Sequence, residues 1–94
     1  MNGQARRGYI VSGRIQCVGF RWWTQKEADR LGLVGTVQNL EDGRVEVMAR
    51  GTTNALEKLE RLLREGPPMS RVKEIERFSC TVSDQALDFR VVRG

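Results

Sequence analysis

The sequence predicts an α+β fold in which two helices pack on one face of an antiparallel sheet. Two observations lead to this prediction. Strand-type and helix-type patterns follow one another in the order β-α-β-β-α-β, and a tight-turn dipeptide, Asp42-Gly43, joins the two middle strands into a hairpin. Each segment is short, so all of them fit one small layered domain.

The composition is that of an ordinary globular domain. The chain has 94 residues, of which 39% are hydrophobic and 30% charged, and we expect a single domain over residues 1–94 with a flexible tail at 1–6. No apolar run approaches the roughly 18 residues of a membrane span, and no apolar segment follows the N-terminal charges, so we expect no signal peptide. We therefore expect a cytoplasmic location and no membrane partner.

In the first half of the chain, side chains first alternate between two faces, as in a strand, and apolar residues then follow the spacing of a helix. Residues 8–15 alternate like a strand, with Tyr9 and Val11 on one face. Residues 21–31 are predicted to be helical, and Gly32 is expected to end this helix in a left-handed conformation, with Leu33 as its apolar contact. The apolar stripe of this helix consists of Phe20, Thr24, Ala28 and Leu31.

The second half predicts a hairpin, a helix and a last strand. Residues 35–39 and 44–49 form the hairpin, and Asn54 is expected to cap the second helix with Glu57 as its reciprocal partner. The last strand is placed at 72–82, with a short edge strand at 87–92. The buried stripe of the second helix is Leu56, Leu59, Leu62 and Leu63, and its solvated face is Glu57, Lys58, Glu60, Arg61 and Arg64. This order is the ferredoxin-like split βαβ arrangement.

The stretch from Gly13 to Arg21 is the best candidate for a functional site. It ends the first strand and opens the first helix, where free backbone N–H groups meet the positive end of the helix dipole. Such a loop attracts phosphate, and the guanidinium of Arg21 can grip two phosphate oxygens. An ordinary strand–helix turn with an exposed arginine would give the same local pattern.

Charge and missing residue types narrow the chemistry. The net charge is +4, and the first 21 residues contain arginine but no acid, which favours an anionic ligand, either a nucleic acid or a small phosphate. There is no histidine, and the two cysteines, Cys17 and Cys80, are far apart in sequence. Zinc sites of the Cys/His kind, histidine general bases and Ser-His-Asp triads are therefore excluded.

Six segments in order resemble the signature of the acylphosphatase family: GRIQ at 13–16, VGFR at 18–21, TQ at 24–25, LGLVG at 31–35, VQN at 37–39 and DGRVE at 42–46. The resemblance implies a ferredoxin-like enzyme that hydrolyses carboxyl-phosphate anhydrides without metal or cofactor. It further implies a small acyl phosphate as the partner, inorganic phosphate or sulfate as a competing anion, and a monomer.

The resemblance also assigns roles by position. Arg21 matches the family's phosphate-binding arginine, and Asn39 matches its water-positioning asparagine. The phosphate cradle corresponds to the backbone N–H groups of the loop residues Gln16, Cys17, Val18, Gly19 and Phe20. Without the resemblance, Asn39 could equally be a turn residue that bonds to its own backbone.

The chemistry agrees with these assignments. Hydrolysis of an acyl phosphate expels a carboxylate whose conjugate acid has a pKa of about 4, so it leaves at neutral pH without a proton donor. A phosphate monoester, by contrast, expels an alkoxide and normally needs a general acid. Positioning and charge stabilisation therefore suffice for a chain without histidine.

Cys17 departs from the family pattern, in which glycine ordinarily stands at this position. A cradle of converging N–H groups needs close approach to the anion and backbone of alternating hand, which glycine supplies. Two readings stay open: an active enzyme, and a catalytically impaired protein that binds phosphate ligands. A cysteine nucleophile is disfavoured because Cys17 and Arg21 are closer together than in the loop of protein tyrosine phosphatases.

The same fold and a basic surface would also suit an RNA-binding domain. An RNA-recognition motif would carry stacking aromatics on its third strand, and residues 45–48 here contain none, so we expect no nucleic-acid partner.

Trp22 and Trp23 point in different directions on a helix, so one is expected to pack and the other to lie at the rim of the pocket.

Overall fold

The computed structural model describes residues 4–16 and 19–93. Its elements follow the order β1, α1, β2, β3, α2, β4 and β5. Their bounds are β1 Gln4–Arg14, α1 Phe20–Arg30, β2 Val34–Asn39, β3 Val45–Thr52, α2 Thr53–Glu65, β4 Arg71–Phe78 and β5 Phe89–Val92. Residues 4–6, expected in a flexible tail, instead pair with the end of β3, because the β1–β3 ladder continues to the Gln4–Thr52 pair.

The five strands form one sheet in the order β4-β1-β3-β2-β5. The pairs β1–β3, β1–β4 and β2–β3 are antiparallel, as predicted, and the predicted ferredoxin-like arrangement is confirmed. The sheet is not wholly antiparallel, however, because β5 runs parallel to β2. The chain leaves β4 at one edge of the sheet and crosses to the opposite edge, so β5 enters in the direction of β2.

Segment 79–88 makes this crossing on the face of the sheet that carries no helix. Arg6 and Arg50 alternate along their strands with core residues, so their side chains point to this face. Arg6 Nε donates to the Val82 carbonyl at 2.7 Å, and Arg50 donates to the Ser83 carbonyl at 2.9 Å. These bonds draw the chain out of the ladder after Phe78, so the predicted strand at 72–82 was too long, and Cys80 lies outside it.

The helices cover the other face. α1 packs on β2 and β5, α2 packs on β1, β3 and β4, and the two helices touch each other. Tyr9, Val37 and Val47 are fully buried on the sheet side, and Leu56 and Leu59 are fully buried on the helix side. The Tyr9 hydroxyl donates to the Leu56 carbonyl at 3.1 Å, which satisfies the polar tip of a buried aromatic ring.

The end of α1 is as predicted. Gly32 has a φ of 75°, and the N–H of Leu33 donates to the Ala28 carbonyl at 2.9 Å. Leu33 is 2% exposed and so provides the expected apolar contact. α1 therefore stops sharply, and the chain passes straight into β2.

The predicted start of α2 was wrong. Thr52, not Asn54, is the cap, because the Thr52 hydroxyl accepts a hydrogen bond from the N–H of Ala55 at 3.0 Å. Asn54 lies within the first turn and is exposed. Both residues are good cap formers, and the extension of β3 to Thr52 decides between them, since the extended conformation of a cap residue continues the strand.

The solvated face predicted for α2 contains one error. Glu60 is 6% exposed, because two arginines from the sheet and one from the helix surround its carboxylate. Arg77 donates to both carboxylate oxygens at 2.8 Å, Arg64 donates to Oε2 at 2.9 Å, and Arg7 lies 3.8 Å from Oε1. The hydrogen bonds from Arg77 are the largest cause of the lowered pKa of Glu60.

Candidate active site

The candidate site lies at one end of the sheet, where β1, β2 and β5 end and α1 begins. A cavity of about 370 Å³ opens there. Its lining residues are Ile15, Gln16, Gly19, Phe20, Arg21, Trp22, Gln25, Asn39, Val91 and Arg93. The structure thus brings Arg21 and Asn39, predicted from separate segments of sequence, to one cavity.

A bulge at Gly13 directs the chain from β1 into the loop. The β1–β4 register shifts between Ser12 and Gly13, and Gly13 has a φ of 137°. An added Cβ would collide with the backbone of Arg71, so only glycine fits. Beyond the bulge, Ile15 is 2% exposed and anchors the start of the loop in the core.

Gly19 opens α1 and leaves its first turn free for an anion. Gly19 is the N-cap residue in a left-handed conformation, with φ 70° and ψ 30°, and no side chain caps the helix. The first N–H to bond within α1 at this end is that of Trp23, which donates to the Gly19 carbonyl at 2.9 Å. The preceding N–H groups have no acceptor inside the helix, and the first turn contains no acid.

Arg21 is half-buried and is held against β5. Its NH1 atom lies 3.5 Å from the Val92 carbonyl oxygen, a long contact that leaves other guanidinium N–H groups for a ligand. One turn later on α1, Gln25 Nε2 donates to the Phe89 carbonyl at 2.9 Å. Two side chains on the same face of α1 therefore fix this helix to the backbone of β5.

Asn39 ends β2, paired across the ladder with Val45. Its side chain is exposed and faces the cavity. Within residues 4–16 and 19–93, no hydrogen bond occupies the amide of Asn39, so the alternative role as a turn residue bonded to its own backbone does not apply there. The amide is available to a ligand or a water molecule.

Gln16 lies between the loop and the β2–β3 turn. A Cβ added at Gly43 would come within 2.5 Å of Gln16 Nε2, so the turn glycine makes room for this side chain. Gln16, Gly19 and Phe20, three of the five predicted cradle residues, thus line the cavity. The other two, Cys17 and Val18, lie outside the described residues.

The two tryptophans divide as predicted. Trp23 is half-buried against the core, with its ring centroid 5.5 Å from that of Phe20. Trp22 is 61% exposed and lines the cavity, and Lys26 Nζ lies 4.6 Å from its ring centroid. One aromatic ring therefore fixes the helix, and the other forms part of the cavity wall.

Arg93 and Val91 were missed by the sequence analysis. Both belong to β5 or the residue after it, and no local motif marks them, because their place in the cavity depends on the crossing of segment 79–88. With Arg21 and Arg93 and no acid among the described lining residues, the cavity is cationic. Asp42 lies nearby in the β2–β3 turn, but its charge is paired with Arg44, whose backbone N–H is the largest cause of the lowered Asp42 pKa.

A larger cavity, of about 480 Å³, lies under segment 79–88 at the other end of the sheet. Its walls include Met48, Val82 and Leu87, and none of the predicted site residues. The candidate site is therefore distinguished from this larger cavity by its arginines and by the uncapped start of α1, and not by its size. In the described part of the chain, no group of three metal-ligating side chains comes together, and neither helix is long and apolar enough to cross a membrane.

Fold and site together define a ferredoxin-like domain with a cationic cavity at one end of its sheet. Comparison with known proteins gives the family. The sequence model of the Acylphosphatase family matches residues 7–91. The chain is 44% identical over 85 residues to an acylphosphatase from Koribacter versatilis, covering 90% of this chain and 77% of that protein.

Solved structures agree. The crystal structure of acylphosphatase from Bacillus subtilis superposes with a TM-score of 0.86 at 39% identity, covering 93% of this chain and 97% of that one. An acylphosphatase from Coxiella burnetii gives a TM-score of 0.89 at 37% identity, covering 96% and 94%. The chain belongs to the acylphosphatase family, and is a hydrolase of acyl phosphates.

Proposed function

We propose that this chain, acting as a monomeric single domain, hydrolyses acyl phosphates with Arg21 and Asn39 as its catalytic residues. The phosphate binds to Arg21 and to the backbone N–H groups of residues 16–21. The single observation that carries the proposal is that Arg21 and Asn39 line one cavity together with the uncapped start of α1.

The reaction follows from the charges in this cavity. A water molecule, held by the amide of Asn39, attacks phosphorus while the bond between phosphorus and the acyl oxygen breaks. The electron pair of that bond leaves with the carboxylate, and the proton of the attacking water passes to solvent or to the phosphate product. The guanidinium of Arg21 and the N–H groups oppose the negative charge on the phosphoryl oxygens.

No general acid is needed in this scheme. The leaving carboxylate has a conjugate acid with a pKa of about 4 and departs unprotonated at neutral pH. The described lining residues contain no carboxyl group, thiol or imidazole, in keeping with a reaction that runs on positioning and charge.

The central test is hydrolysis of benzoyl phosphate by wild type, Arg21→Ala and Asn39→Ala. Loss of one well-placed donor typically lowers the rate by about 10²–10³-fold, and we expect at least that for each variant. Arg90→Ala and Gln38→Ala are matched controls, because Arg90 pairs with Asp88 and Gln38 with Glu46, both outside the cavity. Turnover like that of wild type in either site variant would contradict its assigned role.

Three further measurements test separate parts of the proposal. In ¹⁸O-labelled water, attack at phosphorus puts the label into inorganic phosphate, whereas attack at the carbonyl carbon would put it into the carboxylate. Inorganic phosphate and sulfate should inhibit competitively, and Arg21→Ala should weaken this inhibition together with substrate binding. Light scattering in solution measures the molar mass and so tests whether the protein is a monomer.

Cys17 supports a second candidate, a catalytically impaired protein that binds phosphate ligands. Any non-glycine residue that is held in the left-handed region costs roughly 1–2 kcal/mol, and the family resemblance places glycine at this position. If the reading of impairment is right, Cys17→Gly raises turnover or the affinity for phosphate. An unchanged or lower rate would show that the loop tolerates the thiol, and would favour the active enzyme.

A further inference from the structure

The cavity contains a second cation, Arg93, which none of the predicted roles uses. Arg93 directly follows β5 and lines the same cavity as Arg21. The two residues are neighbours in space, because Arg21 NH1 lies 3.5 Å from the carbonyl oxygen of Val92, the residue before Arg93. Two arginines from different elements therefore line one small cavity.

These charges are not balanced within the described part of the chain. No carboxylate there lies within ion-pair distance of Arg21 or Arg93, and none lines the cavity. Arg90, three residues earlier, differs in this respect, since its Nε lies 3.0 Å from Asp88 Oδ1. Two like charges that line one cavity without a carboxylate partner favour an anionic ligand.

The cavity is also larger than a phosphate group requires. Its volume of about 370 Å³ lies in the range of small-molecule sites, about 300–1,000 Å³. Beyond the N–H groups of α1, its lining includes the apolar residues Trp22 and Val91, and Trp22 is 61% exposed. These surfaces suit the carbon chain of an acyl group, and Arg93 adds a positive charge to the same walls.

We propose that Arg93 is a specificity-determining residue that binds a second oxyanion on the acyl half of the substrate. The preferred substrates are then acyl phosphates whose acyl chain carries a carboxylate or a phosphate away from the reacting anhydride. The proposal rests on the proposed function, since it assumes that the phosphoryl group occupies the Arg21 end of the cavity. Arg93 provides a fork of N–H donors that matches either oxyanion.

The test compares two substrates of equal chain length. Succinyl phosphate ends in a carboxylate, whereas butyryl phosphate ends in a methyl group. The readout is the ratio of their kcat/KM values, after subtraction of spontaneous hydrolysis, at about 0.15 M ionic strength, where the Debye length of about 8 Å limits general attraction. Arg93 is exposed, so its contribution to substrate binding lies between that of a surface ion pair and that of a buried one. We therefore expect Arg93→Ala to lower the ratio of kcat/KM values about tenfold.

Further variants distinguish a specific contact from general charge. Arg93→Lys should keep most of the ratio, and Arg93→Glu should lower it below that of Arg93→Ala. Arg71→Ala removes an exposed arginine from the same end of the sheet but outside the cavity, and Arg90→Ala removes one from the same strand; both should leave the ratio unchanged.

Several outcomes would overturn the inference. One is an unchanged ratio of kcat/KM values in Arg93→Ala. Another is an equal loss of kcat/KM for both substrates, which would assign Arg93 to the phosphoryl group. A third is a drop of the ratio in Arg71→Ala as large as that in Arg93→Ala. If wild type hydrolyses butyryl phosphate in any of these cases, the proposed function stands and only the role of Arg93 fails. If wild type hydrolyses neither substrate, the proposed function fails and the inference fails with it.

Discussion

Gly19 allows loop geometry to be tested separately from overall stability, because the chain contains a matched glycine at the other end of α1. Gly19 has a φ of 70° and Gly32 a φ of 75°. At both positions an added Cβ would meet no heavy atom of the described chain within 4 Å. Alanine therefore creates no collision at either site, and the penalty is conformational alone.

The size of that penalty follows from the backbone. An L-residue held in the left-handed region costs about 1–2 kcal/mol. For a domain of this size, that corresponds to a fall in Tm of about 4–16 °C. Because the φ values and the free space are alike, we expect Gly19→Ala and Gly32→Ala to lose similar amounts of stability in urea unfolding.

The two variants should differ in activity. Strain at Gly19 is relieved by small rotations that move the first N–H groups of α1, and a misplacement of about 1 Å can lower a rate about 10²-fold. We expect kcat/KM for benzoyl phosphate to fall about 10–100-fold in Gly19→Ala. Gly32 lies roughly 16 Å away, the length of an 11-residue helix, and its replacement should change kcat/KM less than about twofold.

The assay is unfolding in urea and steady-state kinetics on the same three preparations. Full activity in Gly19→Ala, at a stability equal to that of Gly32→Ala, would refute the reasoning, because the loop would then tolerate a side chain at its helix junction. An equal loss of activity in Gly19→Ala and Gly32→Ala would also refute the reasoning, because a general loss of stability would then explain the effect without any change in the loop.

Two further predictions concern α2. Glu60→Gln should lower the free energy of unfolding at pH 7 by about 1.5–3 kcal/mol, the value of hydrogen bonds to a charged group, because an amide cannot accept all the N–H groups that Arg77 and its neighbours direct at the carboxylate. The folded pKa of Glu60 lies below its ordinary value of 4.5, so this stabilisation is present above about pH 4.5 and is lost as pH falls through the folded pKa. The difference in the free energy of unfolding between wild type and Glu60→Gln should therefore shrink in acid, with exposed Glu57→Gln as the control. A difference that does not depend on pH would contradict the role of the charge. Thr52→Ala should lower the free energy of unfolding by about 1 kcal/mol, as measured by urea unfolding. Asn54→Ala should not lower it, because Asn54 lies inside the helix, where alanine is the better helix former, and a loss in Asn54→Ala larger than in Thr52→Ala would show that Asn54 is the cap.

Much of the fold could be predicted because its signals are local. The hairpin at Asp42-Gly43, the left-handed stop at Gly32 and the leucine stripe of α2 each depend on residues close in sequence. The presence of Arg21 and Asn39 in one cavity was also expected, although from a family resemblance and not from periodicity.

The errors concern contacts between distant segments. Helical spacing put Glu60 on the solvated face, and nothing in α2 itself announces that Arg7 and Arg77 will meet it from β1 and β4. The place of Arg93 in the cavity could not be predicted for the same reason, because it depends on β5 pairing with β2 after the chain has crossed the sheet. Patterns of periodicity describe one element at a time, and these residues act between elements.

The attachment of α1 to β5 has a consequence for fragments of this protein. The contacts of Arg21 with Val92 and of Gln25 with Phe89 join residues 71 and 64 positions apart. A synthetic peptide comprising only residues 13–46, which holds the whole signature, would lack the surface that orients its arginine, and closing so long a loop requires the rest of the sheet. Such a peptide should be inert toward phosphate, so anion binding would make a sensitive assay for completed folding.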